Sequence, residues 1–431
     1  MFITGWTVLL TALGAIPAAL TQQRDIAWYW LLGVAVLVAI DVWAAPSPQR
    51  IGAKRRVPAS VRLTESTEAK LDILNTSTRR RVRGAVRDAW QPSAGATDTR
   101  HRFSLAPGEA LPLTTHLTPT RRGDRKSVGV TIRTSGPLRL AGRQRTMPLV
   151  DTLRVLPEFK SRRHLPSRLA RLREIDGRTA VQLKGAGSEF DSLREYVIGD
   201  DVRTIDWRAT ARRADVVVKT YRPERDRRVF IVLDTSRLSA GRVGDTPRLD
   251  ASIEATLLLA ALASRAGDRV QVTAFDREEQ ARAAATTGAA LMTRLATALA
   301  PVESRLVEPD WPAVARLTRE RLSQRSLIVL LTTVEVSAID SGLLEATAAL
   351  AHRHQVVVAS VADPEVEELL LTRGSVEALY GAAAAARAGI EVDAVGSRLR
   401  SLGADVLTAL PDDLAPVLAD RYLALKAAGK L

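Results

Sequence analysis

The amino-acid sequence predicts a multi-domain protein: a two-helix transmembrane hairpin over 1–49, a small all-β domain over 50–160, a connector over 161–228 and a C-terminal α/β domain over 229–431. Three observations lead to this division. Two long apolar runs open the chain, short period-two stretches separated by turn residues follow, and the remainder alternates fully apolar strands with helical segments.

With 431 residues, 46% hydrophobic and 26% charged, the chain has the composition of a folded protein rather than a disordered one. It contains no cysteine, which excludes a disulfide scaffold, a thiolate zinc site, an iron–sulfur cluster and a cysteine nucleophile. The net charge of +14 is unevenly placed. Residues 1–49 carry 1 basic and 2 acidic side chains, 50–228 carry 40 and 20, and 229–431 carry 21 and 26. A strongly basic middle between an apolar start and a mildly acidic end points to different partners for each part.

The apolar runs are Phe2 to Leu20, without a charge, and Ile26 to Ala45, with only Asp41. Each is near the ~20 residues needed to cross ~30 Å of hydrocarbon. Trp6, Trp28, Trp30 and Trp43 lie beside the ends of the runs, where amphipathic indoles favour the interface. The link Thr21 to Asp25 is too short for a domain, and the first run lacks the basic start of a cleaved signal peptide. Arg50, Lys54, Arg55 and Arg56 follow the second run directly, and basic residues there favour the cytoplasmic side. The expected arrangement is a two-span anchor in the cell membrane with the bulk of the chain in the cytoplasm.

From Val57 to Phe159, stretches such as Ala69 to Asn75, Arg81 to Asp88 and Val128 to Thr134 alternate polar and apolar residues. Turn chemistry at Ala106-Pro107-Gly108-Glu109, Arg121-Arg122-Gly123-Asp124 and Ser135-Gly136-Pro137 separates them. Short strands at such spacing predict an antiparallel, immunoglobulin-like sandwich. His101 and His116 read as surface residues. So many arginines raise nucleic acid as a partner, but only Trp90, Phe103 and Phe159 lie in this stretch to stack on bases. The neighbouring anchor favours anionic lipid of the inner leaflet instead, and no specific nucleic acid is expected.

Residues 160–183 read as a basic helical connector with Leu165, Leu169 and Leu172 at helical spacing. The segment 184–213 then departs from ordinary composition. Ser188, with Asp191 three residues on, predicts a capped helical turn, and Gly199 breaks the chain. Asp200 or Asp201 can cap a second turn carrying Arg203, Asp206 and Trp207, and Val216 to Tyr221 reads as a strand. Gly185-Ala186-Gly187 lacks the residues of a phosphate loop or dinucleotide fingerprint. Without histidine, the segment reads either as a salt-bridged interdomain clamp or as a partner-binding surface. Arg194, Arg203 and Arg212 would tie Asp200, Asp201 and Asp206, with Tyr196 and Trp207 alongside.

The string Gly-x-Gly-Ser-Glu-Phe, Leu-Arg-x-Tyr, Gly-Asp-Asp-x-Arg, Ile-Asp-Trp and Ala-Thr-Ala-Arg over 185–212 resembles the signature of the domain-of-unknown-function 58 family. The paired apolar runs, Arg121-Arg122-Gly123, Gly136-Pro137-Leu138 and the C-terminal α/β pattern extend the resemblance. It implies a bacterial protein encoded beside a MoxR-type AAA+ ATPase, and a von Willebrand factor A-like C-terminal domain.

That domain opens with the strand Val229 to Asp234 and a helix from Arg248 to Ala266, followed by a strand from Arg269 to Phe275. Helix 289–300, strand 326–332, helix 340–353, strand 355–361, a strand near 404–408 and helix 412–427 complete a largely parallel sheet covered on both faces. Ligands of such sheets bind at the carboxyl ends of strands, where Asp234 lies. The family resemblance implies a divalent-ion loop Asp-x-Ser-x-Ser, a Thr and a second Asp. Here only Asp234 and Ser236 match: Leu238 replaces the second serine, Thr333 the second Asp, and Arg237 adds a positive charge. Ser239 and Glu335 are the nearest substitutes. A hard cation needs about six oxygens with adequate negative charge, so Mg²⁺ binding is expected to be poor and no cofactor is assigned. His352 and His354 read as solvent-exposed.

No catalytic constellation emerges. The expected function is a non-catalytic membrane adaptor binding an AAA+ ATPase of MoxR type and a protein client. The alternatives are a metal-assisted hydrolase and a nucleic-acid-binding membrane protein.

Overall fold

A computed structural model describes residues 1–182, 189–213, 215–222, 227–286 and 288–431. Its contacts divide the chain into two units, Met1–Glu158 and Phe159–Leu431.

The first unit begins with helices Gly5–Leu13 and Ala15–Thr21, which both touch helix Arg24–Ala44. The stretch Asp25–Arg50 is long and apolar enough to cross a membrane, whereas Gly5–Leu20 is shorter. The first apolar run is therefore broken where a single helix was expected. The break falls at Gly14, against which Trp30 packs so closely that an added Cβ would lie 2.1 Å from the indole. Trp30 Nε1 donates to the carbonyl of Leu10 at 2.9 Å, across the two helices. Side chains such as Leu9, Ile16, Leu32 and Ile40 are exposed on this helical part.

Asp41, the one charge in the second apolar run, is fully buried. Its carboxylate accepts the backbone N–H groups of Leu138 (2.8 Å), Leu140 (2.8 Å) and Ala141 (2.9 Å). Gly136 is required beneath it, since a Cβ there would stand 2.1 Å from Oδ1. The start of the first helix reaches the same turn: the Thr4 amide donates to Leu140 O at 3.0 Å, and Thr7 Oγ1 donates to it as well. Arg143 Nε donates to Val42 O at 3.0 Å. The turn 136–142 thus holds the beginning of the first helix and the end of the third.

Two sheets follow. A 7-stranded sheet runs through Phe2–Ile3, Ala141–Met147, Gly123–Ser135, Thr152–Leu156 and Ser60–Arg62, with Val82–Trp90 pairing Gly123–Ser135 and then Arg100–Leu105. A 4-stranded sheet orders Ile51–Arg56, Thr67–Asn75, Ala110–Leu117 and Ala96–Thr97. Alternate residues of both face inward, so Ile51, Leu71 and Ile73 of one sheet meet Val86, Phe103 and Ile132 of the other. Arg55 crosses this core instead of standing at the membrane surface. It pairs with Asp88 at 2.5 Å and Asp151 at 2.8 Å and lies over the Trp90 ring. Asp88 also accepts from Trp90 Nε1 and Thr115 Oγ1, which satisfies the buried charge. His101 is half-buried, not a free surface residue, while His116 is exposed beside Glu68.

In the second unit a 6-stranded sheet has the order Glu279–Thr286, Arg269–Phe275, Arg228–Asp234, Leu327–Leu331, Gln355–Val361, Asp405–Ala409. All neighbours are parallel except the first pair. Strands buried on both faces need helices on each side. Arg248–Arg265 and Pro411–Ala427 cover one, with core residues Ile253, Leu258, Leu418 and Tyr422. Trp311–Arg321, Leu343–Ala351 and the end of Val376–Ser401 cover the other, through Trp311, Leu350 and Leu399. The helix expected over 340–353 is split into Val336–Asp340 and Leu343–Ala351 by Gly342, which has φ +86°. The connector helix Leu165–Gln182 belongs to this unit: Leu172 is buried in its core, with Leu165, Leu169 and Ile175 packed alongside. His354 is buried, not exposed, and desolvation with the adjacent Arg353 charge lowers its pKa.

Candidate functional site

In the order above, the strand leading to Asp234 lies between a neighbour that follows it directly in sequence and Leu327–Leu331, which comes later. Chain direction diverges there, and crevices for ligands form at the carboxyl ends of such strands. Asp234 is fully buried, with Oδ1 accepting Ser236 N–H at 2.8 Å and Oδ2 accepting Thr332 Oγ1–H at 2.6 Å. Ser236 Oγ accepts Leu238 N–H at 3.3 Å and so caps the short helix Arg237–Ala240. Thr333 Oγ1 donates to Leu238 O at 3.0 Å, and Ser239 Oγ to Ser236 O at 2.9 Å. Burial and the nearby Asp276 charge push the Asp234 carboxyl above its ordinary range, although its hydrogen bonds oppose them.

Asp276 was not singled out from the sequence. It directly follows the strand Arg269–Phe275, as Asp234 ends its own strand, and that parallel was the available signal. Asp276 is fully buried and accepts Thr235 Oγ1–H at 3.1 Å. Arg305 approaches it at 3.7 Å and Glu278 at 2.8 Å, which holds the Glu278 carboxyl below its ordinary range. Arg237 turns outward to Glu308 at 2.6 Å.

These residues do not fit a hard divalent ion. Asp234 and Ser236, the matching pair, spend their oxygens on internal hydrogen bonds, and Thr333 brings a hydroxyl already engaged with the backbone. Among the described residues no three of His, Cys, Asp and Glu converge on a metal position. Glu335 bonds Ser337 through Oε1 and supplies no substitute. An open cleft of about 440 Å³ beside the loop, lined by Arg277, Glu308, Asp310 and Asp340, carries charges of both signs.

The signature segment forms a different structure from the one expected. The capped helical turn at Ser188–Asp191 is replaced by strand Glu189–Glu195, antiparallel to Val217–Arg222; Ser188 itself lies outside the described residues, as does Gly185-Ala186-Gly187. Pairing with a strand distant in sequence outcompetes the local cap. Arg194 grips Asp200 through both terminal nitrogens (2.6 and 2.5 Å), and Asp200 also accepts Val197 N–H at 2.9 Å. That guanidinium holds the Asp200 carboxyl below its ordinary range. Asp201 caps the turn Val202–Thr204 by accepting Arg203 N–H at 2.9 Å. Asp206 accepts the amides of Arg208 and Ala209, each at 3.0 Å, at the head of helix Trp207–Arg213, and meets Lys219 at 3.3 Å. The Ala209 amide, ahead of the Lys219 ammonium and the Arg208 amide, keeps its carboxyl low.

Of the expected clamp, then, Arg194–Asp200 forms, whereas Lys219 takes Asp206 in place of an arginine. Arg203 and Arg212 are exposed. Tyr196 is half-buried, its amide donating to Val216 O at 2.8 Å. The hairpin buries Val217 and Val218 but leaves Ile198 97%, Trp207 68%, Val202 62% and Val197 61% exposed. These four apolar side chains stand exposed on a segment held by ion pairs and caps.

Residues 192–400 match the family described as "Protein of unknown function DUF58". The "Uncharacterized protein YeaD" of Bacillus subtilis (strain 168) is 25% identical over 144 residues, covering 33% of this chain and 35% of that protein. The match therefore spans about a third of the curated relative's length. Among solved structures, an aerotolerance-related membrane protein from Bacteroides fragilis NCTC 9343 is 15% identical, covers 47% of this chain and 99% of that one, and has a TM-score of 0.31. Escherichia coli alpha-2-macroglobulin activated by porcine elastase is 16% identical over 25% of this chain and 10% of that one, with a TM-score of 0.19. Both scores lie below the level from which a shared fold follows. The matched residues 192–400 hold most of the signature segment and most of the α/β sheet, and over them the chain is similar to the DUF58 family.

Proposed function

We propose that the chain is a non-catalytic adaptor of the cell membrane, with two spans, its bulk in the cytoplasm, and an α/β unit that docks another protein. The observation that carries this reading is the exposure of four apolar side chains, Val197, Ile198, Val202 and Trp207, on one segment braced by Arg194–Asp200 and Asp206–Lys219. The carboxyl-edge cluster at Asp234 satisfies its own polar atoms and offers no free general base or metal cradle. The strand order with one antiparallel edge supports a von Willebrand factor A-like unit, a fold that serves docking. Two spans are supported by the turn 136–142, which holds the beginning of the first helix and the end of the third. A MoxR-type AAA+ ATPase as partner is supported by the family resemblance alone.

The test is affinity capture of the tagged full chain from detergent-solubilised membranes, with and without ATP, read by mass spectrometry. An ATP-sensitive AAA+ ATPase, enriched with wild type and depleted several-fold by Ile198→Asp or Trp207→Ala, is the expected outcome. Recovery of nucleic acid, or equal recovery with the variants, would overturn it. A Mg²⁺-dependent hydrolytic activity abolished by Asp234→Ala would instead select the hydrolase.

A further inference from the structure

We propose that the outer face of the 7-stranded sheet binds anionic phospholipid headgroups of the bilayer that holds the chain, through Arg83, Arg87, Arg100, Arg102 and Arg133; this rests on the membrane anchorage proposed above. In the ladder, Arg87 stands opposite Arg100 on one side and Thr131 on the other, and Ala85 stands opposite Arg102 and Arg133. Arg83 faces Ser104, and Arg133 faces Gln144. Residues directly opposite and residues two apart share a face of a sheet, so these arginines form one basic plane. The reverse face carries Val82, Val86, Phe103, Leu105, Val130 and Ile132, all buried in the core.

All five arginines are exposed, and the positions registered beside them on this face, Ala85, Ser104, Thr131, Gln144 and Thr146, carry no carboxylate. Among the described residues no ion pair engages Arg83, Arg87, Arg100 or Arg102, and Arg133 bonds the neutral Gln144 at 2.7 Å. Elsewhere the same unit pairs its arginines with acids, as at Arg55–Asp88, Arg56–Asp72 and Arg154–Asp124. Like charges directly opposite on a sheet destabilise it, so Arg87 against Arg100 is a local arrangement that a phosphate layer from outside would relieve.

The anchor decides which phosphates these are. Asp41, near the end of helix Arg24–Ala44, grips the turn after Ser135. At about 3.3 Å per residue, Arg133 lies at most ~7 Å from Ser135 along its strand, and the level of Arg87 and Arg100 at most ~13 Å. The headgroup layer is about 5–8 Å deep and the Debye length ~8 Å at physiological salt, so the whole plane stays within reach of an anionic surface. Bases of single-stranded nucleic acid would require aromatic platforms, and the aromatic at this face, Phe2, is already covered by Arg133 at 5.2 Å.

The test uses the full chain in nanodiscs of phosphatidylcholine alone or mixed with phosphatidylglycerol, with phenylglyoxal modification of arginines followed by peptide mass spectrometry. Arg83, Arg87, Arg100 and Arg102 should react several-fold more slowly in the anionic discs and recover at high salt. The variant Arg83→Gln, Arg87→Gln, Arg100→Gln and Arg102→Gln should unfold at the same or a higher temperature and lose the lipid-dependent protection of Arg133, which separates binding from folding. Equal reactivity in both discs overturns the proposal. So does protection by added DNA or RNA in neutral discs without any by phosphatidylglycerol. Extraction of the chain from membranes by alkaline carbonate would instead overturn the anchorage itself.

Discussion

Asp234 shows how a single buried carboxyl ties stability to pH. Burial raises its pKa above the ordinary 3.8, so the folded state keeps a proton that the unfolded chain releases. Its contribution is present below pH 3.8 and is lost as pH rises through the folded value. Asp234→Asn mimics the protonated form, accepting from Ser236 N–H and donating to Thr332. The variant should be more stable at pH 7 by about 0.5–2 kcal/mol, the usual range for one stabilising change, and the gain should vanish near pH 3. Denaturant unfolding at the two pH values checks this; a gain independent of pH would mean that the charge is not its cause. At Gly136 the argument is steric. A methyl group 2.1 Å from the Asp41 carboxylate has no space to yield into, and Gly136→Ala should cost about 1–3 kcal/mol in the thermal unfolding of the detergent-solubilised chain. The role of Asp41 has no local trace in the sequence, because its three N–H donors lie about a hundred residues away.

At the scale of elements, the helix Trp207–Arg213 is 7 residues long, too short to persist without its cap. Asp206→Ala removes the carboxylate oxygen that accepts two amides, together with the Lys219 pair, and should cost the local helix about 0.5–2 kcal/mol. Faster amide exchange at Arg208 and Ala209, with the central α/β sheet unaffected, is the expected reading. What could be read from the sequence followed periodicity. The strands ending at Asp234 and Phe275 and the helix from Arg248 stand where their apolar patterns put them, since both pack into a continuous core. Helix Val376–Ser401 escaped notice because the run Gly381 to Gly389 is nearly all alanine, without an apolar stripe, and because much of it is exposed. Strand Glu189–Glu195 was masked by a capping signal that only its distant partner overrides.

On the scale of the whole molecule, helix Leu165–Gln182 belongs to the α/β unit by its packing, whatever its basic composition implied. A fragment spanning 159–431 should therefore unfold cooperatively, while one starting at 229 should lose about 3–6 kcal/mol, from the burial of Leu172 and its half-buried neighbours at about 1.5–3 kcal/mol per full side chain. Calorimetry on both fragments would show equal melting temperatures if the helix were a mere tether. The division into an apolar start, a β-rich middle and an α/β end was open to sequence reading because composition changes sharply at each join. The buried Arg55 and the carboxyl-edge acid Asp276 were not, because burial and pairing across strands are properties of the assembled sheets. The grip of the turn 136–142 on both helix ends carries one more consequence. A helix too long for its bilayer tilts, and a domain joined by a loose tether would be indifferent to that tilt. Here three amides on one carboxylate fasten the β unit to the end of helix Arg24–Ala44, so with that helix in a thinner membrane the β unit would lean with it, and bilayer thickness would become an angle of the domain.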